Sequence, residues 1–246
     1  MNNTIEVMKN HRSIRKYKDI MIQDEIINTL VDVAQHAPNS INGQQTSVIV
    51  IKDMETKKKI AEYTGGQTWI EECPVFLVFV MDYYKTKLAC DKNERNQVIT
   101  DSVESIMVGC VDAGISMQNV VTAAESLGLG TVCIGGIRRN PEEVIKLLDL
   151  PEYTYPVVGL CIGYPADYSS LKPRMPKEAY CHYEKYNKDN LTNAINSYDE
   201  IVSNYLSKGG REQKVNWSNT TSNFYQFVYY PNVYGTLKKQ GFKNER

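Results

Sequence analysis

Eight consecutive residues, Pro74-Val75-Phe76-Leu77-Val78-Phe79-Val80-Met81, carry no polar side chain. A strand with one wet face would alternate apolar and polar residues. An unbroken apolar run of this length suits a strand covered on both faces. The chain must therefore supply apolar helices on each side of a sheet, and its periodicity does so. Residues 24–37 read as a helix, with Asp24 and Glu25 at its positive end, an apolar stripe from Ile26 to Ala34, and a stop at Pro38. A longer helix is predicted over 101–127, where Val103, Ile106, Met107, Cys110, Gly114, Met117, Val121, Ala124 and Leu127 recur every three or four residues. Gly109 and Gly114 weaken it by up to roughly 1 kcal/mol each relative to alanine, which points to close approach of another backbone, from a second subunit among others.

Further strands are expected at 47–51, 130–134 and 155–162, and further helices at 54–63 and 141–148. Helices alternate with strands, so the class is α/β or α+β. After residue 187 the texture changes to Asn, Ser and Tyr, with helical patterning at 194–206 and a helix start at Trp217-Ser218. This segment is too polar to own a core and too aromatic to be disordered. The division is therefore a core of 1–187 and an extension of 188–246 that packs on something else.

At 246 residues, 42% hydrophobic and 23% charged, the composition is that of an ordinary globular chain. The basic residues, 28, and the acidic ones, 29, nearly balance, which argues against a nucleic-acid partner. No secretory leader and no membrane-spanning apolar run are expected, and the location expected is the cytoplasm. The six cysteines form no C-x-x-C, and Cys110, Cys133 and Cys161 lie in apolar segments as small hydrophobes, so reduced thiols are expected. His11, His36 and His182 have no metal-ligand spacing, and no metal is expected.

Two distant cationic groups carry the chemistry. His11-Arg12-Ser13-Ile14-Arg15 and Lys172-Pro173-Arg174 are each suited to a phosphate, the guanidinium as a fork of donors and the lysine as a point charge. Three loops share their character: 39–44, rich in amides; 65–67, ending in Gln67; and 134–136, with the pair Gly135-Gly136. Amides such as Asn42, Gln44 and Gln67 both donate and accept, which suits the dioxopyrimidine edge of a flavin. Gly128-Leu129-Gly130 precedes a strand and so is no dinucleotide fingerprint.

Together with Ala37-Pro38-Asn39-Ser40, Gly65-Gly66-Gln67, Cys133-Ile134-Gly135-Gly136-Ile137-Arg138, Gly163-Tyr164-Pro165, Asn216-Trp217-Ser218 and Gln240-Gly241-Phe242, these motifs resemble the nitroreductase superfamily almost end to end. Within it they resemble the NADPH-dependent flavin reductases and oxygen-insensitive nitroreductases. The resemblance implies an α+β fold, with a mixed, mainly antiparallel sheet flanked by helices. It implies FMN at a homodimer interface, with the extension packing on the partner subunit. His11, Arg12, Ser13, Arg15, Lys172 and Arg174 would hold the phosphate. Asn39, Ser40, Asn42, Gln44 and Gln67 would contact the chain and ring, the 39–44 loop often across the dimer. Ile134, Gly135 and Gly136 would lie against the isoalloxazine. Chemistry would rest on FMN, with no protein nucleophile: two electrons from NADPH or NADH to flavins, nitroaromatics or quinones by a ping-pong mechanism. Asn39-Ser40 stands where many members have two serines. Lys208 and Arg211 are the candidates for the 2′-phosphate of NADPH, in a region that matches the family loosely. The rival readings are a superfamily member with another reductive reaction and a non-catalytic FMN-binding protein.

Overall fold

The computed structural model describes residues 2–208 and 215–246, which form two compact units, 2–169 with 230–246, and 170–208 with 215–229. The first unit is built on four strands, β1 (Thr46–Ile51), β2 (Val75–Asp82), β3 (Gly130–Ile134) and β4 (Thr154–Gly163), in the order β1-β2-β4-β3. All three ladders are antiparallel. Among the described residues, parallel pairing in this α+β fold is a single isolated bridge, Ser13 to Thr131.

The apolar run of 74–81 becomes β2, and all eight residues of that strand are buried. Val75, Leu77, Phe79 and Met81 face α2 (Asp24–Gln35) and α6 (Val103–Ser126), whose Leu30, Ala113 and Val120 share their cluster. Phe76, Val78 and Val80 face the opposite side, with Ile60 of α3 (Met54–Tyr63) and Val144 of α7 (Pro141–Leu147). Each such side chain removed from water contributes about 1.5–3 kcal/mol, so β2 is the spine of the unit. Ser116 Oγ and Asn119 Nδ2 of α6 donate to the carbonyls of Ala34 and Val33, satisfying the C-terminal end of α2.

The β2–β4 register slips between Phe79 and Val80, which pair with Val158 and Pro156. A proline cannot donate to a ladder, and a bulge accommodates it. Arg138 donates to the Val157 carbonyl at the slipped position. Gly159 is required nearby, because a Cβ there would stand 2.3 Å from the Phe76 ring.

Several elements lie outside those expected from the sequence. They are α1 (Asn3–Lys9), the single turn α4 (Trp69–Glu72), α5 (Tyr84–Lys92) and α10 (Asn232–Lys239). Neither α1 nor α5 has a buried residue, so no apolar stripe marks them. By length and composition α6 would suffice to cross a membrane, although no unbroken apolar run was evident in it. It is a core helix here, and its buried face includes Ser105, Asp112 and Ser116. A Cβ at Gly109 would meet the Met81 side chain at 2.6 Å, so the close approach there is to a side chain rather than a backbone. Gly114 has open space beside it within the chain.

Residues 230–246 return to the first unit. Leu237 and Phe242 are buried in its core, and Phe242 meets Tyr83 edge-on at 6.0 Å. Gln240 Nε2 donates to the carbonyls of Pro151 and Thr154, and Gly241 has φ +87° with Tyr153 against it. The sequence boundary at 187/188 thus differs from the compact division at 169/170 and 229/230.

The second unit holds α8 (Leu191–Lys208) and α9 (Trp217–Tyr225). Asn216 caps α9 by accepting from Asn219 N at 2.9 Å, and Asp199 of α8 accepts from Ser218 N at 2.8 Å. Tyr198 packs on Trp217 with ring centroids 6.0 Å apart. None of the described residues of 170–229 is buried.

Candidate active site

The cationic segment is sewn to the open edge of β3. Ile14 N donates to Thr131 O at 2.8 Å, Lys18 N to Tyr164 O at 2.8 Å, and Ala166 N to Lys16 O at 3.0 Å. Ile14 is buried, and Gly130 lets it approach, since a Cβ at 130 would stand 2.6 Å from it. Tyr17 donates to Ile14 O at 2.7 Å, and burial pushes its hydroxyl far above the usual tyrosine range. With Ile14 and Tyr17 anchored, the flanking side chains are left at the surface. Among the described residues neither Arg12 nor Arg15 is in an ion pair. Their guanidinium groups lie instead over aromatic rings, Arg12 at 5.9 Å from Tyr168 and Arg15 at 5.5 Å from Trp69. His11 Nδ1 meets Glu125 Oε1 at 2.7 Å, and the Thr131 hydroxyl donates to the same oxygen at 3.2 Å.

Gln67 sits at the next position. Its Nε2 donates to Thr64 O at 3.1 Å. A Cβ at Gly136 would lie 2.3 Å from that nitrogen and 3.0 Å from the Thr64 carbonyl. Gly136 is thus the absence of a side chain that Gln67 needs. Trp69 links the two groups, two residues after Gln67 and beneath Arg15. The structure therefore brings His11, Arg12, Ser13, Arg15, Gln67, Ile134, Gly135 and Gly136 to one neighbourhood at β3.

The 39–44 loop is elsewhere. It leads into β1, and β1 and β3 are opposite edges of the sheet, three strand spacings or about 14 Å apart. Asn39 Oδ1 accepts from Gln44 N at 3.1 Å, and Gln44 Nε2 donates to Asn42 Oδ1 at 2.6 Å. Ile41, Asn42 and Gln44 have φ of 51°, 55° and 55°. For a β-branched residue such as Ile41 that conformation is strained, and its side chain is 96% exposed. The loop is held by Asp112, a buried carboxylate of α6 that accepts from Ser40 N at 3.2 Å and Gln45 Nε2 at 2.6 Å.

Lys172 and Arg174 belong to the second unit and are exposed there, with Arg174 Nη1 donating to Lys172 O at 3.4 Å. Lys208 is the last residue of α8. Arg211 lies outside the described residues. Of Cys110, Cys133 and Cys161, read from sequence as small core hydrophobes, only Cys161 is buried. Partial loss of solvent on β3, and then the charge of Glu125, pushes the Cys133 thiol up even so. All six cysteines are free, and among the described residues no cluster of three His, Cys, Asp or Glu could hold a metal. The sequence reading passed over Glu125, Trp69 and Asp112. Glu125 and Asp112 belong to α6, where a helical stripe gives no reason to single out a carboxylate. Trp69 had its nearness to Gln67 as a signal.

Residues 8–164 match the Nitroreductase family, and residues 172–245 match the Nitroreductase family, C-terminal domain. The chain belongs to the nitroreductase family. It is 48% identical over 250 residues to a Bacillus subtilis protein named FMN reductase [NAD(P)H], with all of both chains covered. A second B. subtilis protein, FMN reductase (NADPH), is 38% identical over 248 residues, covering 98% of this chain and 99% of that one. The solved structure of B. megaterium NfrA2 superposes with a TM-score of 0.97 at 49% identity over the whole of both chains. As a member of this family the chain is an oxidoreductase, and a flavin is the cofactor that the family implies.

The residues present fit a flavin phosphate. Two guanidinium groups stand without carboxylate partners among the described residues. Beside them Trp69 Nε1 is a buried donor with no partner among the same residues.

Proposed function

We propose that the chain is an FMN-dependent NAD(P)H oxidoreductase that reduces flavins, nitroaromatics and quinones. The observation that carries this reading is the convergence at β3 of Arg12 and Arg15, which have no carboxylate partner among the described residues, with Gln67 and the Gly135-Gly136 pair. In it His11, Arg12, Ser13 and Arg15 bind the phosphate, and Lys172 and Arg174 add their charges. Gln67 bonds the pyrimidine edge, while Ile134, Gly135 and Gly136 form the wall on which the ring rests. Bound FMN supplies two-electron transfer, with nicotinamide donor and acceptor taking turns, so kinetics are ping-pong. No protein nucleophile is required.

Asn39, Ser40, Asn42 and Gln44 act across a homodimer in this reading. Their separation from β3 within one chain supports that role. So does the outward face of α6, where Val103, Met107 and Val111 are 52%, 59% and 58% exposed in a row that continues to open Gly114. The 170–229 unit, with no buried residue among its described ones, would pack on the partner. Lys208 and Arg211 would favour NADPH over NADH by a modest factor, since the 2′-phosphate is the only difference between the two donors.

The test is anaerobic. The purified protein should be yellow, should bleach on adding NADPH and should recover its colour on adding a nitroaromatic or a quinone. A colourless protein that takes up no FMN would overturn the reading. Bound FMN that stays yellow in the presence of NADPH and NADH would make it a binding protein.

A further inference from the structure

Asp112 is a carboxylate in the middle of a core helix, 4% exposed, and among the described residues no ion pair includes it. A buried charge without a cation is costly unless hydrogen bonds compensate it. Here the bonds come from the segment that leads into β1. Ser40 N donates to Oδ2 at 3.2 Å and stands 3.4 Å from Oδ1, and Gln45 Nε2 donates to Oδ2 at 2.6 Å. None of residues 38–44 is buried, whereas Ala37 and Gln45 at their two ends are. A cavity of about 460 Å³ is shared by Pro38, Asn39 and Gln44 of the loop with Asp112 and Ser116 of α6. Apolar packing therefore does not set the loop backbone, and yet Ile41, Asn42 and Gln44 all hold left-handed φ. Strained residues of this kind persist where their surroundings over-determine them. Asn39, Asn42 and Gln44 brace one another, and Asp112 ties the braced loop to α6. We propose, resting on the reading above, that Asp112 is a positioning residue for the flavin of the partner subunit: it fixes the 39–44 loop, so that α6 of one subunit determines how well the other subunit's site binds FMN.

Two further features serve the same anchorage. Asp112, Ser116 and Asn119 are spaced four and three apart, on one face of α6. Ser116 and Asn119 hold the carbonyls of Ala34 and Val33, so this row grips the end of α2 and the start of the loop together. Gly43 has an ordinary φ of −74°, so its backbone does not require glycine. Its bareness serves Gln45, because a Cβ there would lie 2.2 Å from Gln45 Oε1. The chain thus gives up a side chain to let the Gln45 amide reach Asp112. An aspartate suits the place because a carboxylate only accepts, and both groups facing it are donors. Val111, its neighbour in sequence, is 58% exposed on the face that the reading gives to the partner, so the loop is anchored beside the subunit interface.

The experiment reads FMN affinity in mixed dimers by fluorescence titration. Asp112→Ala homodimers should bind FMN roughly tenfold more weakly than wild type, about one hydrogen bond's worth. Arg15→Ala homodimers are weakened as well, through the phosphate. Co-expressing the two chains under different affinity tags and isolating the mixed dimer puts an intact Arg15 and an intact loop together in one of its sites, and both defects in the other. Asp112 acting across the dimer should give one site per mixed dimer with wild-type affinity. Asp112 acting only within its own chain, or through general stability, leaves no such site, because the chain with the intact Arg15 still lacks its carboxylate. A control pairs Arg15→Ala with an Asn42→Ala, Gln44→Ala chain. Recovery in the control but not with Asp112→Ala overturns the proposal and leaves the cross-dimer reading standing. No recovery in either pairing overturns that reading and the proposal with it. Unchanged FMN affinity in Asp112→Ala homodimers also overturns the proposal. Should Asp112→Ala fail to fold, Gln45→Leu, which removes the loop-side donor and leaves α6 intact, takes its place with the same outcomes.

Discussion

Replacing Gly136 by alanine tests the site at the one place where a single methyl group has a calculable consequence. The added Cβ would lie 2.3 Å from Gln67 Nε2 and 3.0 Å from the Thr64 carbonyl oxygen. Ordinary carbon–nitrogen contact needs about 3.5 Å, so the amide must retreat by roughly 1 Å. Retreat breaks the 3.1 Å bond from Nε2 to Thr64 O, worth about 0.5–1.5 kcal/mol. The carbonyl contact is a backbone one and yields less, so the whole substitution belongs with overpacked cores, at about 1–3 kcal/mol. Urea unfolding of the apoprotein should show that loss, and FMN titration should show weakened binding because Gln67 has left its place. Repeating the substitution in a Gln67→Ala background separates the two contacts. The amide collision is then absent, and the stability cost should shrink by about 1 kcal/mol, a coupling expected only of residues in contact. Additive costs, or Gly136→Ala with unchanged FMN affinity, would refute the placement of Gln67 against Gly136.

Arg15→Ala and Lys172→Ala should each lose about 1.5–3 kcal/mol of FMN binding in a flavin titration, the range for charge-assisted hydrogen bonds. A Met107→Glu, Val111→Glu double variant should sediment as a monomer and lose FMN, since it places charge on the outward face of α6. Tyr83 donates to Ser105 O at 2.8 Å, and burial pushes its hydroxyl up to about 12. The fold therefore favours the neutral phenol, and the resulting stability is complete below pH 10 and is lost as pH rises toward 12. Tyr83→Phe should flatten that alkaline loss and cost about 1 kcal/mol at neutral pH, read by urea unfolding at several pH values.

The two-sided core was legible because residues 74–81 carry no polar side chain and each neighbouring helix has an apolar stripe. Strand direction was not legible, since ladder geometry depends on partners far away in sequence. Pro156 and Gly159 gave no warning of the bulge that frees the Val157 carbonyl for Arg138. The cationic segment, Gln67 and the glycine pair could be read because their chemistry is unusual for a surface. Glu125 and Asp112 could not, because a carboxylate on a helix is ordinarily solvated and only folding shows that these two are not. Cys110 and Cys133 illustrate the converse: an apolar neighbourhood in sequence still has an outward position every second residue of a strand or every turn of a helix.

The C-terminal residues decide how the extension should be tested. Deleting 188–246 would remove Leu237 and Phe242 from the core of the first unit, so an insoluble product would say nothing about a partner subunit. Point variants separate the two roles. Phe242 is fully buried against Tyr83, and Phe242→Ala should cost about 3–5 kcal/mol in urea unfolding. Phe224 of α9 is 59% exposed, and truncating it removes little that a single chain buries. If the 170–229 unit covers a partner, Phe224→Ala should raise the dissociation constant of the dimer, measured by sedimentation. The unfolding free energy of the dissociated chain should stay within about 0.5 kcal/mol of wild type, as for surface substitutions. A Phe224→Ala chain that dimerises as tightly as wild type would remove this residue from the interface. A Phe242→Ala chain of unchanged stability would mean that residues 230–246 are not part of the first unit's core.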